Sequence, residues 1–182
     1  MEKKFSDESL RLEGWDYSSP GFYFITIVTR DRKNYFGDIK NGRMELSGAG
    51  ILAKKFWHDI PKHFPFGGLD AFIVMPNHIH GILIIKDNNQ YNRGDAINRV
   101  PASMEKDHLS RGGIAGYHNP MLHRNISRII RWYKGRVSYS ARKIDPGFQW
   151  QSRFHDRIIR DENDLYDKRS YIRNNPLKWN SC

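Results

Sequence analysis

Cysteine is nearly absent from this chain of 182 residues: the single thiol is that of Cys182, at the last position. One cysteine excludes an intramolecular disulfide and a metal cluster held by thiolates. Long hydrophobic runs are missing as well, since no apolar stretch approaches the roughly 20 residues that a transmembrane helix needs. The first residues, Met1-Glu2-Lys3-Lys4, are charged and unlike a secretory signal. We therefore expect a cytoplasmic protein with no membrane segment.

Acidic residues are scarce relative to basic ones. The chain has 20 Asp and Glu against 30 Lys and Arg, which gives a formal net charge of +10. This balance favours a polyanionic partner, with nucleic acid ahead of an acidic membrane surface. No acidic residue occurs from 119 to 144, where Arg124, Arg128 and Arg131 share one face of a predicted helix. The pattern is as typical of a solvated face as of a surface that contacts phosphates.

The chain shows no internal repeat and no second block of composition. We therefore expect residues 1–182 to form one domain. The segment 86–116 has loop composition and is too long for an ordinary connection between elements. A mobile surface loop is expected there.

Strand patterns occur in four places. They predict a strand over 22–29, a hairpin over 38–46 around Asn41-Gly42, and an edge strand over 154–159. The apolar stretch 71–85 is either one bent strand or two strands interrupted at Pro76, because proline cannot donate to a sheet ladder.

Helix signals alternate with these strands. Helices are predicted from Ser47 to about Ile60, with Pro61 ending it, over 122–137, and from Asp161 until Pro176, which ends the last helix. In the first of them, Ile51, Leu52 and Phe56 are expected on the buried face. The order of elements is that of a split βαβ unit. It predicts an α+β fold, ferredoxin-like or RRM-like, with helices packed on an antiparallel sheet.

His78 and His80 stand one residue apart within the apolar run 72–85. On a strand, alternate side chains point the same way, so both imidazoles are expected on one face of a central strand. Two neutral imidazoles side by side can grip a divalent cation. The same spacing is equally typical of partly buried histidines that are hydrogen-bonded to backbone carbonyls and bind no metal.

A nucleophile for phosphate chemistry must come from Tyr, Ser, His or an activated water, because no cysteine is available. In the last helix, Tyr171 and Asn175 are four residues apart and project together. That spacing favours Tyr171 only mildly, and Tyr133 and Tyr139 remain alternatives.

The run VMPNHIHG at 74–81 is followed downstream by Trp150-Gln151, by RIIRDE at 157–162 and by YIRNNPLKW at 171–179. Together these motifs closely resemble the single-tyrosine HUH transposases. The nearest branch is that of the REP-associated tyrosine transposases, relatives of small bacterial insertion-sequence transposases. The resemblance covers nearly the whole chain except the loop 86–116. It departs at Arg157, where similar proteins often carry histidine.

This resemblance implies a site and a reaction. His78, His80 and Asn175 would hold a divalent metal, Mg2+ or Mn2+, and Tyr171 would be the catalytic nucleophile. The expected activity is that of a metal-dependent endonuclease and strand transferase acting on single-stranded DNA at hairpins, such as repetitive extragenic palindromes. The intermediate would be a 5′-phosphotyrosine. The HUH strand is expected to be central in the sheet, with the tyrosine on the C-terminal helix.

Basic residues would hold the DNA backbone. The candidates are those of the basic helix named above, together with Arg30, Arg32, Lys33, Arg160 and Arg173. Arg160 and Arg173 are equally well explained as partners in surface ion pairs. Alternatives to the transposase are a non-catalytic module of the same fold that binds single-stranded nucleic acid, and a metal hydrolase of small phosphoesters. The protein is expected to be a monomer, or a homodimer that exchanges its tyrosine helix.

Overall fold

A computed structural model of the chain describes residues 19–87 and 125–179. Within these ranges the fold combines one four-stranded sheet, one small hairpin and four helices. A short turn, Arg30–Arg32, follows the first strand. In chain order the elements are β1 (Gly21–Val28), β2 (Gly37–Lys40), β3 (Arg43–Leu46), α1 (Gly48–His58), α2 (Ile60–His63), β4 (Gly67–Met75), β5 (His78–Ile85), α3 (Ile126–Ala141), β6 (His155–Ile159) and α4 (Glu162–Lys178).

The main sheet is antiparallel, with the strand order β4-β5-β1-β6. β1, α1, β4, β5, α3 and β6 follow the βαββαβ sequence, so the predicted ferredoxin-like α+β fold is confirmed. β5 carries the two histidines and lies between β4 and β1, as expected for a central strand. The interruption before it is a turn through Pro76, and β6 is the predicted edge strand.

The larger core lies on one face of the sheet, under α1 and α3. Tyr23, Ile25 and Ile27 alternate along β1 and are fully buried against these helices. Ser47 caps α1 as predicted, accepting a hydrogen bond from the backbone of Gly50. None of the described helices is both long and apolar enough to cross a membrane.

α4 covers the opposite face of the sheet. Leu165 and Ile172 on this helix are buried against Ile82 of β5 and Ile159 of β6. Leu165 and Ile172 are seven residues apart, so they lie two turns apart on one side of the helix. Asp161 caps its first turn, accepting from the backbone of Asp164, as predicted.

An ion pair joins α4 to the edge strand β4. Nε and Nη2 of Arg169 donate to the two carboxylate oxygens of Asp70, at 2.9 and 2.6 Å. The guanidinium holds the pKa of the Asp70 carboxyl below its usual range. Asp70 lies where the register of β4 against β5 shifts, between Leu69 and Phe72. The ion pair therefore fixes α4 at an irregular point of the strand, two residues before Tyr171.

Three local predictions were wrong. Ile51 is 58% exposed, because the buried residues of α1 are instead Ala49, Gly50, Ala53, Phe56 and Trp57. The first helix ends at His58, and Pro61 lies in the first turn of α2, where its missing N–H costs nothing.

In α4, Pro176 lies inside the helix, which continues to Lys178. The proline falls in the last turn, where its missing N–H removes a single helical hydrogen bond. The predicted loop 86–116 lies outside the described residues, apart from its first two positions.

Gly81 is required by the close approach of β5 to the core. A Cβ at this position would overlap the indole of Trp57, which is fully buried and stacks on Phe72 with ring centroids 4.6 Å apart. We expect Gly81→Ala to lower the free energy of unfolding by about 1–3 kcal/mol, since the core must shift to accept the methyl group. Urea denaturation measures this change.

Gly135 provides the matched control for that substitution. It is an exposed residue in the interior of α3, and a Cβ there meets no atom within 4 Å. Gly135→Ala should raise the free energy of unfolding by about 0.5–1 kcal/mol, because alanine restricts the unfolded chain. Equal effects of the two substitutions would contradict the steric role of Gly81.

Candidate active site

The two histidines lie side by side on the sheet face that α4 covers. Their ring centroids are 4.6 Å apart. His78 is half-buried and His80 is 5% exposed. Ile79, between them, points into the core on the other face and is fully buried. The predicted alternation along the strand is confirmed.

Each imidazole is held through its Nδ1 atom. His80 Nδ1 is hydrogen-bonded to the hydroxyl of Thr26 on β1 at 2.8 Å, and these two residues face each other in the strand register. His78 Nδ1 is hydrogen-bonded to Oδ1 of Asn77 at 2.7 Å. Neither of these hydrogen bonds uses Nε2, and partners of this kind fix the orientation of metal-binding histidines.

Both imidazoles are neutral at neutral pH. Burial, reinforced by the charge of Arg32, lowers the pKa of His78 to about 4. Burial and the neighbouring His78 lower the pKa of His80 to about 3. A neutral imidazole offers a lone pair, which is the form that binds a metal ion.

Tyr171 lies over His80. Its hydroxyl oxygen is 3.4 Å from Nε2 of His80, and its ring meets the imidazole edge-on, with centroids 5.2 Å apart. Phe24 of β1 stacks on His80 and contacts the edge of Tyr171, at 5.3 and 5.9 Å. The tyrosine is 44% exposed, so an external group can reach its hydroxyl.

Asn175 lies one helical turn beyond Tyr171 and is buried, with 9% of its surface exposed. One further turn along, the indole of Trp179 lies 5.8 Å from the His78 ring. α4 thus contacts His80 through Tyr171, and the residue that caps its C-terminus, Trp179, contacts His78. Asn175 falls between these two contacts. Helical spacing puts the amide on the side of the helix that faces the histidines.

These side chains suit a divalent cation. Mn2+ accepts two imidazole nitrogens and an amide oxygen as ligands. Three protein ligands leave coordination positions open for oxygen atoms of a substrate, and oxygen is also the ligand atom that Mg2+ prefers. Within the described ranges, no group of three or more His, Cys, Asp or Glu side chains forms a metal-binding cluster. Asn175 is the residue that could serve as a third donor beside the two histidines.

A basic loop lies next to His78. We use this name for residues 30–33, which contain Arg30, Arg32 and Lys33, all of them exposed. Nη1 of Arg30 donates to Oε1 of Gln149 at 2.6 Å. The side-chain amide of Asn77 donates to the backbone carbonyl of Arg32 at 3.0 Å. The segment that carries three of the residues predicted to contact DNA thus lies next to the turn that precedes His78.

The other residues predicted to contact DNA are distributed differently. Arg128 and Arg131 belong to α3, which packs on the sheet face opposite the histidines. Arg160 follows β6, whose end pairs with Phe22, whereas His78 pairs with Val28 at the other end of β1. Arg173 lies on α4, and its Nε donates to the carbonyl of Arg169 at 3.3 Å. Arg124 lies outside the described residues.

Sequence reasoning missed four residues of the site. Thr26 and Phe24 are distant from the histidines in the chain, and only the register of β1 against β5 brings them together. Lys168, whose Nζ lies 5.7 Å from the centroid of the Phe24 ring, depends on the docking of α4. Asn77 could have been found, because a side chain next to His78 in a turn is within hydrogen-bonding reach of it.

The chain is similar to known proteins over most of its length. A Haemophilus influenzae protein described only as uncharacterized is 36% identical over 172 residues, which cover 94% of this chain and 88% of that protein. A second protein of Haemophilus influenzae, named as a candidate REP-associated tyrosine transposase, is 28% identical, covering 90% of this chain and 74% of its own. No protein-family model matches the chain.

A solved structure has the same fold. It is that of a REP-associated tyrosine transposase bound to a REP hairpin, and it superposes with a TM-score of 0.60. The alignment covers 96% of this chain and 74% of that one, at 17% identity. At this identity the likeness establishes the fold.

The neutral histidines make stability depend on pH. Their pKa values in the folded protein, about 4 and 3, lie below the ordinary 6.5, so the unfolded chain binds more protons between these values. We expect the free energy of unfolding of the metal-free protein to fall as the pH drops below about 6.5, by up to about 1.4 kcal/mol per pH unit for each ring. Urea denaturation in EDTA at pH 4.5 to 7.5 measures this slope.

His80→Gln should remove about half of the slope that the two histidines contribute. The exposed His155 on β6 is the control, and His155→Gln should leave the slope as it is in the original protein. A slope unaffected by His80→Gln would show that the acid sensitivity arises elsewhere.

Proposed function

This chain belongs to the REP-associated tyrosine transposases, and on that premise we propose that it nicks and rejoins single-stranded DNA at hairpins such as repetitive extragenic palindromes. The observation that carries the proposal is the contact between Tyr171 and His80, at 3.4 Å, which joins the two ends of the chain in one site. The transposase of the same fold is bound to a REP hairpin, and this supports a hairpin substrate here.

Tyr171 would be the nucleophile. Its hydroxyl oxygen forms a bond to phosphorus as the bond from phosphorus to the 3′ oxygen of the preceding nucleotide breaks. The phenol gives up its proton, and the departing 3′ oxygen takes one up to become a hydroxyl. The products are a 5′-phosphotyrosine and a free 3′ hydroxyl. Attack of a 3′ hydroxyl on the phosphotyrosine reverses the step and rejoins a strand.

His78, His80 and Asn175 would hold the metal ion. The hydroxyl of Tyr171 lies 3.4 Å from Nε2 of His80, so a phosphate held at these donors would lie near the phenol. A Mg2+ or Mn2+ ion held by the three residues would supply positive charge that stabilises the charge developing on the reacting phosphate. Phe24 packs against both His80 and Tyr171 and keeps the nucleophile in contact with the site.

The basic loop would hold the DNA backbone beside His78. Its three cations are exposed, and hydrogen bonds with Gln149 and Asn77 fix the backbone and one side chain. Phosphate contacts of this kind position a strand without reading its sequence.

A passive platform for nucleic acid is the alternative function. In such modules the bases stack on the open face of the sheet. Here α4 covers that face of the sheet and buries Ile82 and Ile159, which lie on it. The covered face favours the enzyme over the platform.

Tyr171→Phe should reduce the amount of covalent DNA adduct by a factor on the order of 100 or more, because phenylalanine has no oxygen to attack phosphorus. The substrate is a single-stranded hairpin from a chromosomal palindrome with a flanking tail, labelled at its 3′ end. The measurement is the fraction of label that migrates with the protein after denaturation. The affinity for uncleaved DNA should stay within about twofold, because the phenol is one contact among many.

Tyr166 on the same helix is the matched control, since it is 67% exposed and faces solvent. Tyr166→Phe should form the adduct as the original protein does. Excess EDTA should abolish the adduct, and a label at the 5′ end should leave on a free strand. An adduct that survives Tyr171→Phe, or that carries the 5′ label, would refute the proposed chemistry.

The basic loop should contribute to the salt dependence of DNA binding. For single-stranded DNA, removing one cation that neutralises a phosphate lowers the slope of log affinity against log salt by about 0.7. Replacing Arg30, Arg32 and Lys33 with glutamine should therefore reduce the slope by about 2. Fluorescence anisotropy with a labelled hairpin, in EDTA at 50 to 300 mM salt, provides the measurement.

The comparison for this experiment is the double substitution of Arg128 and Arg131 on α3 with glutamine. We expect it to leave the slope close to that of the original protein, because α3 lies behind the sheet. A reduced slope with the α3 pair and an unchanged slope with the basic loop would place the DNA on the opposite face.

A further inference from the structure

Asn77 joins the histidine pair to the basic loop. It lies in the turn between β4 and β5 and is buried, with 8% of its surface exposed. Its Oδ1 is 2.7 Å from Nδ1 of His78, and its Nδ2 donates to the carbonyl oxygen of Arg32 at 3.0 Å. One buried amide thus has each of its two polar atoms engaged with a different part of the proposed site.

These contacts determine the orientation of the amide. The backbone carbonyl of Arg32 can only accept a hydrogen bond, so the nitrogen of the Asn77 amide must face it. The oxygen of the amide therefore faces His78, and this oxygen can only accept. Reversing the amide would place two oxygens 3.0 Å apart with no hydrogen between them.

The orientation in turn selects the tautomer of His78. Because Oδ1 of Asn77 only accepts, Nδ1 of His78 must carry the hydrogen. In a neutral ring this leaves the lone pair on Nε2. Asn77 therefore presents His78 to the site in the form that binds a metal ion through Nε2.

The same amide supports a strained segment of backbone. Asp31 and Arg32 have φ values of 54° and 52°, a left-handed conformation that costs roughly 1–2 kcal/mol at each residue other than glycine. Further hydrogen bonds brace this segment: the backbone of Arg32 donates to Thr29, and the hydroxyl of Thr29 donates toward the carbonyls of Lys33 and Asn77 at 2.8 Å. Strain that persists in this way is typical of functional segments.

The strained segment carries Arg32 next to the turn that holds His78. The Asn77 amide bonds the backbone carbonyl of Arg32 at 3.0 Å and the imidazole of His78 at 2.7 Å, and the Arg32 side chain is exposed. An exposed cation one amide away from a candidate metal ligand is placed to receive an anion. A phosphate group that bridges the metal and a guanidinium is such an anion.

We propose that Asn77 is a positioning residue that assembles a composite phosphate site, fixing His78 for the metal with its carbonyl oxygen and fixing the loop that carries Arg32 with its amide nitrogen. Arg32 binds the DNA phosphate whose oxygen the metal also contacts. This inference rests on the proposed function, and it assigns to two residues the recognition of the reacting phosphate.

The first measurement is of Mn2+ binding by calorimetry, without DNA. Asn77→Ala should weaken Mn2+ binding by about 10–100-fold, the range found when a partner of a metal-binding histidine is removed. Asn77→Asp retains an acceptor oxygen for His78 and should bind Mn2+ at least as tightly as the original protein. Arg32→Gln should not weaken Mn2+ binding. A merely structural role would weaken binding in both Asn77 variants.

The second measurement is of hairpin DNA binding in EDTA, where the metal plays no part. If Asn77 acts on DNA through Arg32, the double variant Asn77→Ala with Arg32→Gln should lose no more affinity than Arg32→Gln alone. Asn163, exposed in the first turn of α4, is the matched control, and Asn163→Ala should change neither Mn2+ nor DNA affinity. Thermal unfolding checks that each variant is folded.

Unchanged Mn2+ affinity in Asn77→Ala, or additive reductions of DNA affinity in the double variant, would overturn the inference. If Asn77→Ala does not fold, Asn77→Asp tests the inference on its own. Its hairpin affinity in EDTA should fall while Mn2+ binding persists, and unchanged hairpin affinity would overturn the inference. Neither measurement needs strand cleavage. Failure of the original protein to form an adduct would therefore count against the proposed function and leave the role of Asn77 standing.

Discussion

The docking of α4 on the sheet is the contact on which the rest of the site depends. In a ferredoxin-like arrangement both crossover helices pack on one face, so the second face of the sheet is left open. Leu165 and Ile172 bury themselves in that face, and Arg169 pairs with Asp70 on β4 at its edge. Because Tyr171 lies between Arg169 and Ile172, holding the helix at these two residues also fixes the position of the tyrosine. The histidines on the same face are thereby enclosed.

Enclosure explains the chemistry of the histidines. Two imidazoles 4.6 Å apart, one of them almost fully buried, are costly to protonate, so both stay neutral well into the acid range. Their hydrogen-bond partners differ in origin. Thr26 comes from the neighbouring strand, and Asn77 comes from the turn that precedes His78. The pair is therefore oriented both by the sheet register and by the local chain, which is the preorganisation that a metal site needs.

Much of this arrangement was predictable. Alternation along β5 placed His78 and His80 on one face, and helical spacing placed Asn175 beside Tyr171, because both periodicities are properties of the backbone. The cap at Ser47 and the turn at Asn41-Gly42 followed from local chemistry in the same way. Ile51 was misplaced because α1 buries alanines and a glycine in its stripe, where close packing rather than hydrophobicity selects the residue. Arg128 and Arg131 could not be assigned to a face of the sheet, since charge alone does not reveal which side a helix covers.

Most of the elements, the shared face of the two histidines and the family resemblance carried by motifs at both ends of the chain could be read from the amino-acid sequence. The packing of the strands and helices was needed to show that those ends meet, that Thr26 and Phe24 belong with His80, and that the basic loop rather than α3 lies beside the site. The two kinds of information differ in the distance along the chain over which the interactions act. Periodicity, capping and turn chemistry act over a few neighbouring residues, whereas strand register and helix docking depend on burying surfaces that are about 90 residues apart in the chain, as Tyr171 and His80 are.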